Sequence, residues 1–283
     1  MLAGAFALLA ASLLRGGNEE IEAARKYYNN TNFGQSLKVL DAIPDKNAAA
    51  FELMGLNYYM QREYKRAAEC FESASKLEPG DSMMALWLGR AYGRRAETSS
   101  PFTAPGFASR ARQNFERAVQ LDEHNLEALS DLFEYYLDAP GFLGGGVDKA
   151  EASVPRIAAV DPAEGHWAQA RLAEKRKQMD AAEKHLRQSV ELSPKRIGPS
   201  LELARFLARQ GRFEEAEQSF AHAERIAPGS PRIVFARADV YVKNGRNLAL
   251  AKQLLERYMS MSLTPDDPPR ADAAKLLKQV QGA

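Results

Sequence analysis

Apolar positions in this chain fall into two short helical spacings, and those spacings are then copied along the sequence. Phe51, Gly55 and Tyr58 are separated by four and then three residues, and so are Ala67, Phe71 and Ala74. Each set marks one face of an α-helix. Pro79 follows, where a helix has to stop. The pair then returns. Gly89 and Tyr92 stand 34 residues after Gly55 and Tyr58, and Pro228 stands 34 after Pro194. Ala204, Ala216, Phe220 and Ala223 fit the same template. The pattern predicts an all-α chain of helix–turn–helix units, each burying its apolar face against the next.

Residues 48–81 are the clearest unit. Gly55 sits at template position 8, where a larger side chain would force the two helices apart, and Tyr58 and Phe71 fill the space that this closeness leaves. Residues 18–47 read as a degenerate first unit or cap: a helix holding Ala23, Ala24, Tyr27 and Tyr28, then Ser36, Leu40 and Ile43 on second-helix positions. Residues 82–125 keep Gly89, Tyr92, Ala111, Phe115 and Ala118 but have about ten extra residues between their helices, which predicts a long turn. Residues 126–162 carry a shorter Gly-rich insertion, and Asp148 with Glu151 reads there as a capping box. Residues 163–196 match more weakly, 197–230 are regular, and 231–268 are degenerate. Residues 269–283, with Ala274, Leu276, Leu277 and Val280, predict a short amphipathic helix that covers the last unit.

A small residue at position 8, Ala at 20, an aromatic or Leu at 24 and Pro at 32 resemble the tetratricopeptide repeat (TPR) family over roughly residues 20–268. The resemblance implies an α–α superhelix (a TPR solenoid) of about six repeats with a C-terminal capping helix. It also implies that positions 2, 5, 9, 12 and 13 of each first helix line a concave, partner-binding side. The subtype that clamps chaperone C-termini is a poor match, because Leu56 stands where that subtype has Asn, with Asn57 one step off.

Bulk properties narrow the function. Net charge is +1, so there is no global electrostatic case for nucleic acid or an anionic membrane. The single cysteine, Cys70, cannot form an internal disulfide and reads as a small buried residue. Residues 2–14 carry no charge and are too short to span a bilayer, so they predict a signal-peptide core with a small-x-small site at Ala10–Ser12. The expectation is an exported bacterial protein; an uncleaved anchor, a misplaced start and a cytoplasmic chain remain open.

Catalytic signatures are missing. His124, His166, His185 and His222 lie in different places with no metal-ligand spacing, and His185 and His222 read as outward surface positions. Gly144–Gly146 precede a helix but have neither the strand before nor the Lys-Ser/Thr after that a phosphate loop needs. No metal site and no cofactor is expected, and no enzymatic activity.

The first-helix row is more suggestive. Positions 9 and 13 pair Arg90 with Arg94, Arg171 with Lys175 and Arg205 with Arg209, one helical turn apart on one face. Guanidinium groups at this density suit carboxylates. They predict a non-catalytic scaffold that binds a protein or peptide, acidic in character, in the groove. Equally open is pairing of these cations with Glu134, Asp138, Glu174 and Glu202 across repeats. Two further candidates are Phe107 and Phe142, each closing an Ala-Pro-Gly-Phe tetrapeptide in a long turn, which either brace one another or grip a partner. Alternative functions are an envelope-assembly component acting through oligomer contacts and an accessory subunit of an enzyme complex.

Overall fold

The structure is a computed structural model and describes residues 18–282. The apolar segment at residues 2–14, expected above to direct export, lies outside the described residues.

Fifteen α-helices and one short 3-10 turn make up the described chain. Helix α1 covers residues 18–29, followed by α2 (Phe33–Asp41), α3 (Ala48–Met60), α4 (Tyr64–Leu77), α5 (Ser82–Thr98), α6 (Ala104–Leu121) and α7 (Leu126–Asp138). The 3-10 turn Gly141–Leu143 precedes α8 (Val147–Val160), α9 (Pro162–Lys175) and α10 (Met179–Leu192). Then come α11 (Ile197–Arg209), α12 (Phe213–Ile226), α13 (Pro231–Lys243), α14 (Leu248–Ser260) and α15 (Arg270–Gln281). They form two units, residues 18–135 with 140–144, and residues 136–139 with 145–282.

In the first unit, α2 to α6 pack each on the next. The helices of a hairpin approach most closely at the template glycines. A Cβ built on Gly55 would lie 2.6 Å from the Phe71 ring, and one on Gly89 would lie 2.6 Å from the Phe115 ring. Phe71 is fully buried and stacks on Trp87, with ring centroids 6.1 Å apart. Asn57 is buried too, and donates to Ser36 Oγ of α2 at 2.9 Å and to the Leu53 carbonyl at 2.7 Å. Cys70 is a buried free thiol whose pKa is pushed up to about 11 by burial, which suits a packing role.

In the second unit the same logic runs through α8 to α15. One core gathers Leu186, Leu201, Phe206, Phe220 and Ile233; another gathers Val234, Leu255, Tyr258 and Leu276. Helix α15 packs on α13 and α14. Tyr258 is fully buried, and its hydroxyl donates to the Pro268 carbonyl just ahead of α15.

Four of the hairpin turns are closed by one device. Template position 15 is left-handed in each: Arg62 (φ 65°), Lys177 (φ 60°), Gly211 (φ 77°) and Gly245 (φ 61°). The next residue then donates its N–H five residues back, as Glu63 does to Tyr58, Gln178 to Ala173, Arg212 to Leu207 and Arg246 to Tyr241, at 2.8 to 3.0 Å. This is the six-to-one bond of a Schellman C-cap. Two of the four repeats use glycine there, where the conformation is free of Cβ strain.

The two insertions depart from the expected long turns. In the 82–125 unit most of the extra residues are helical. Helix α5 is 17 residues and α6 is 18, against 13 for α3, and the connection is only residues 99–103. The first tetrapeptide, Ala104 to Phe107, is therefore the opening turn of α6, with Pro105 at its start, where proline's missing N–H costs nothing. The second, Ala139 to Phe142, leads into the 3-10 turn and Gly144–Gly146. The capping box at Asp148 and Glu151 is not formed: α8 has no side-chain cap, and Glu151 pairs with Arg176 at 2.7 Å instead.

Candidate functional site

The first-helix cations are all held by partners within their own unit. In the first unit Arg90 of α5 bonds to Asp131 at 2.6 Å and Glu127 at 2.9 Å, and lies 4.7 Å over the Trp87 ring. Trp87 also meets Tyr59 edge-on, at 5.3 Å between centroids. Burial pushes the Asp131 carboxyl up, and Arg90 pulls against it. Arg94 pairs with Glu97 and reaches the Tyr64 hydroxyl at 3.4 Å.

In the second unit the pairs connect into a chain. Asp138 contacts Lys175 at 3.1 Å and Arg171 at 3.5 Å. Glu174 takes Arg171 at 3.5 Å and Arg209 at 2.7 Å. Arg205 pairs with Glu202, and Lys243 with Asp239 at 2.8 Å. The row is thus an alternating ladder of charge. Exposed or half-exposed pairs of this kind contribute about 0 to 1 kcal/mol each, so the ladder orients side chains more than it stabilises the fold.

Phe107 and Phe142 do not brace one another. Phe107 is half-buried; it stacks on Tyr92 at 6.2 Å, and Arg95 lies 4.0 Å from its ring and 5.5 Å from that of Tyr92. Phe142 is 82% exposed, and so is Phe102, at 96%, in the connection before α6. The most exposed aromatics of this unit are therefore Phe102 and Phe142. Phe102 stands outside the repeated tetrapeptide, and only its place between helices marks it in the sequence.

His185 and His222 also differ from the outward positions expected of them. His166 of α9 and His185 of α10 meet with Nδ1 atoms 3.1 Å apart and rings stacked at 5.3 Å. His222 is half-buried, with Nδ1 2.9 Å from Ser200 Oγ. Position 4 faces position 23 across the hairpin in the first case and position 26 in the second, pairings that a search for closely spaced ligands passes over. Among the described residues no group of three or more His, Cys, Asp or Glu could hold a metal ion, and no helix is long and apolar enough to cross a membrane.

The histidine pair has a measurable consequence. Burial first, and His166 second, hold His185 below its usual value of 6.5, while Gln188 opposes them and Lys184 adds to them. The unfolded chain therefore binds this proton at higher pH than the fold does. The contribution is present above about 6.5 and is lost as pH falls below it, through the lower value of the folded state. The melting temperature of the second unit should drop between about pH 7.5 and 5.5, and His185→Gln should flatten that drop. An equal drop in the variant would remove His185 as its cause.

Comparison with known proteins follows the repeats. Sequence profiles of the tetratricopeptide repeat match residues 52–96 and 173–239. The chain carries tetratricopeptide repeats. Among solved structures, a TPR protein from Parabacteroides merdae is similar over 94% of this chain and 99% of its own, with 15% identity and a TM-score of 0.59. That likeness concerns the fold alone. A thermophilic TPR protein of Thermus thermophilus is 21% identical over 82% of this chain and 99% of its own, with a TM-score of 0.44. No curated protein matches the chain. The all-α TPR fold supports an interaction scaffold with protein partners in general.

Proposed function

We propose that this TPR protein is a non-catalytic scaffold that holds an extended or helical segment of a partner protein along its first helices. The observation behind this reading is the ladder through Asp138, Arg171, Lys175, Glu174 and Arg209. Its cations are already oriented, so little side-chain freedom is lost when a ligand arrives. An acidic partner exchanges its carboxylates for the ladder's own, and a mixed-charge partner continues the alternation.

The test is affinity capture from host extract with residues 18–283, beside the Arg171→Glu/Arg205→Glu variant. Reversal places new carboxylates among Asp138, Glu174 and Glu202. The captured partner should bind the variant about thirtyfold more weakly or worse, and wild-type binding should weaken as salt rises. A partner held equally by both proteins would move the interface off this row. Recovery of the protein alone would favour the second reading, a structural component that assembles through contacts between copies.

A further inference from the structure

The second unit has a cleft of about 530 Å³ between α9, α10, α11 and the start of α13. Its lining mixes apolar surface with backbone and side-chain donors. Trp167, Leu186 and Pro199 supply apolar surface. The first turn of the 13-residue helix α11 also lines the cleft, through Ile197, Gly198 and Pro199, and has no side-chain cap; Pro199 has no N–H, so the open donors are those of Ile197 and Gly198. A helix start without a cap presents N–H groups and the positive end of the helix dipole. Gly198 adds no bulk there; a Cβ on it would meet nothing within 4 Å.

A second observation points to the same ligand chemistry. Ser189 of α10 lines the cleft, is only 1% exposed, and its Oγ has no hydrogen-bond partner among the described residues. A buried hydroxyl without a partner is costly to the fold unless something else satisfies it. Arg232 of α13 adds a guanidinium at the rim and has no ion pair among the described residues. The other charges at the cleft are spoken for. Arg196 grips Asp161 with two bonds of 2.7 and 3.1 Å, and Glu202 pairs with Arg205. Glu164 also has a partner. The groups left over are therefore all hydrogen-bond donors, set beside an indole.

We propose that this cleft is an anchor site for the carboxylate of a glutamate or aspartate side chain, carried next to an apolar residue on an extended partner segment. Glu202 belongs both to the cleft and to the ladder through Arg205, so a segment lying along the row passes over the mouth and enters it sideways, with a side chain. This inference rests on the scaffold reading above and names where the segment is fixed.

Trp87 and Trp167 are the only tryptophans, so Trp87→Phe leaves Trp167 as the reporter. The probes are acetyl-Ala-Glu-Leu-Ala-amide, its Gln counterpart, acetyl-Ala-Ala-Leu with a free carboxylate, and inorganic phosphate. The Glu peptide should give a saturable change in Trp167 emission. Its dissociation constant should rise about tenfold or more on Glu→Gln in the peptide and on Arg232→Ala in the protein. Ser189→Ala should weaken the peptide yet leave the melting temperature unchanged or higher, because it deletes an unpartnered buried group. No saturation with the Glu peptide, equal binding of the Gln peptide, or a preference for the free C-terminus or phosphate would each overturn the proposal. The titration needs no captured partner. Peptide binding without any effect of the Arg171→Glu/Arg205→Glu variant on capture would count against the row alone, and the converse against the cleft alone.

Discussion

Phe71→Ala should destabilise the first unit by about 4 kcal/mol, and Gly55→Ala, a substitution that helps most exposed helices, should cost about 2 kcal/mol. Phe71 is fully buried against Trp87, so its deletion leaves a cavity that the neighbouring helices cannot close. The glycine effect comes from the other side of the same contact. A methyl on Gly55 would stand 2.6 Å from the Phe71 ring, so the ring or the helix must move. Overpacking of that kind outweighs the gain of about 1 kcal/mol in helix propensity. The decisive experiment is the double variant. With Phe71→Leu in place, Gly55→Ala should be neutral or stabilising, because the 163–196 repeat already combines Ala170 with Leu186 at the same two positions. The coupling should be about 2 kcal/mol, read from urea unfolding followed through Trp87 in a Trp167→Phe background. Additive effects would mean that the two residues do not share the contact. A single local reporter matters because repeat arrays need not unfold in one step.

Gly145→Ala should cost about 3 kcal/mol, as much as losing a core side chain, although Gly145 lies in a loop. Its Cβ would fall 1.9 Å from the Ala139 carbonyl oxygen and 2.6 Å from the carbonyl carbon. Both are backbone atoms, with no rotamer to turn aside. The loop is also fastened, since Gly146 N–H donates to the Tyr136 carbonyl at 2.8 Å. The control is Gly141→Ala, four residues earlier, where a Cβ meets nothing within 4 Å and the effect should stay within about 0.5 kcal/mol. Calorimetry on both variants decides the matter. Equal melting temperatures would show that the pinch between residues 139 and 145 relaxes at no cost.

Much of the fold could be read from the residues themselves. Gly55 with Phe71 and Gly89 with Phe115 announce a close hairpin contact by their types and spacing, and both contacts are present. The C-terminal helix was legible because apolar residues at helical spacing follow a proline-rich break, and α15 lies there. The two copies of Ala-Pro-Gly-Phe misled because the same four residues adopt different structures. Downstream of Phe107 the chain reads ASRARQNFERAV, a run of helix formers, and the tetrapeptide is drawn into α6. Downstream of Phe142 it reads LGGGVD, and glycine costs rule out a helix. The ten-residue insertion became helix for the same local reason, with Tyr92, Phe107 and Arg95 joining the two lengthened ends.

By itself the sequence determined the repeat, its period, the small-to-aromatic contacts inside each hairpin and the face that carries the first-helix cations. These follow from local spacing, because a 3.6-residue helix puts residues three and four apart on one side whatever surrounds it. Only the tertiary structure decided which carboxylate each arginine holds, that His166 meets His185, and that Ser189, Arg232 and the open start of α11 converge on one cleft. The pairs His166–His185, Asp138–Arg171, Glu174–Arg209 and Ser189–Arg232 join residues about 20 to 45 positions apart, on separate helices. They depend on how far each helix is rotated and shifted against the next. A fraction of a turn moves a side chain by several ångströms, and the repeat pattern does not specify it at that scale.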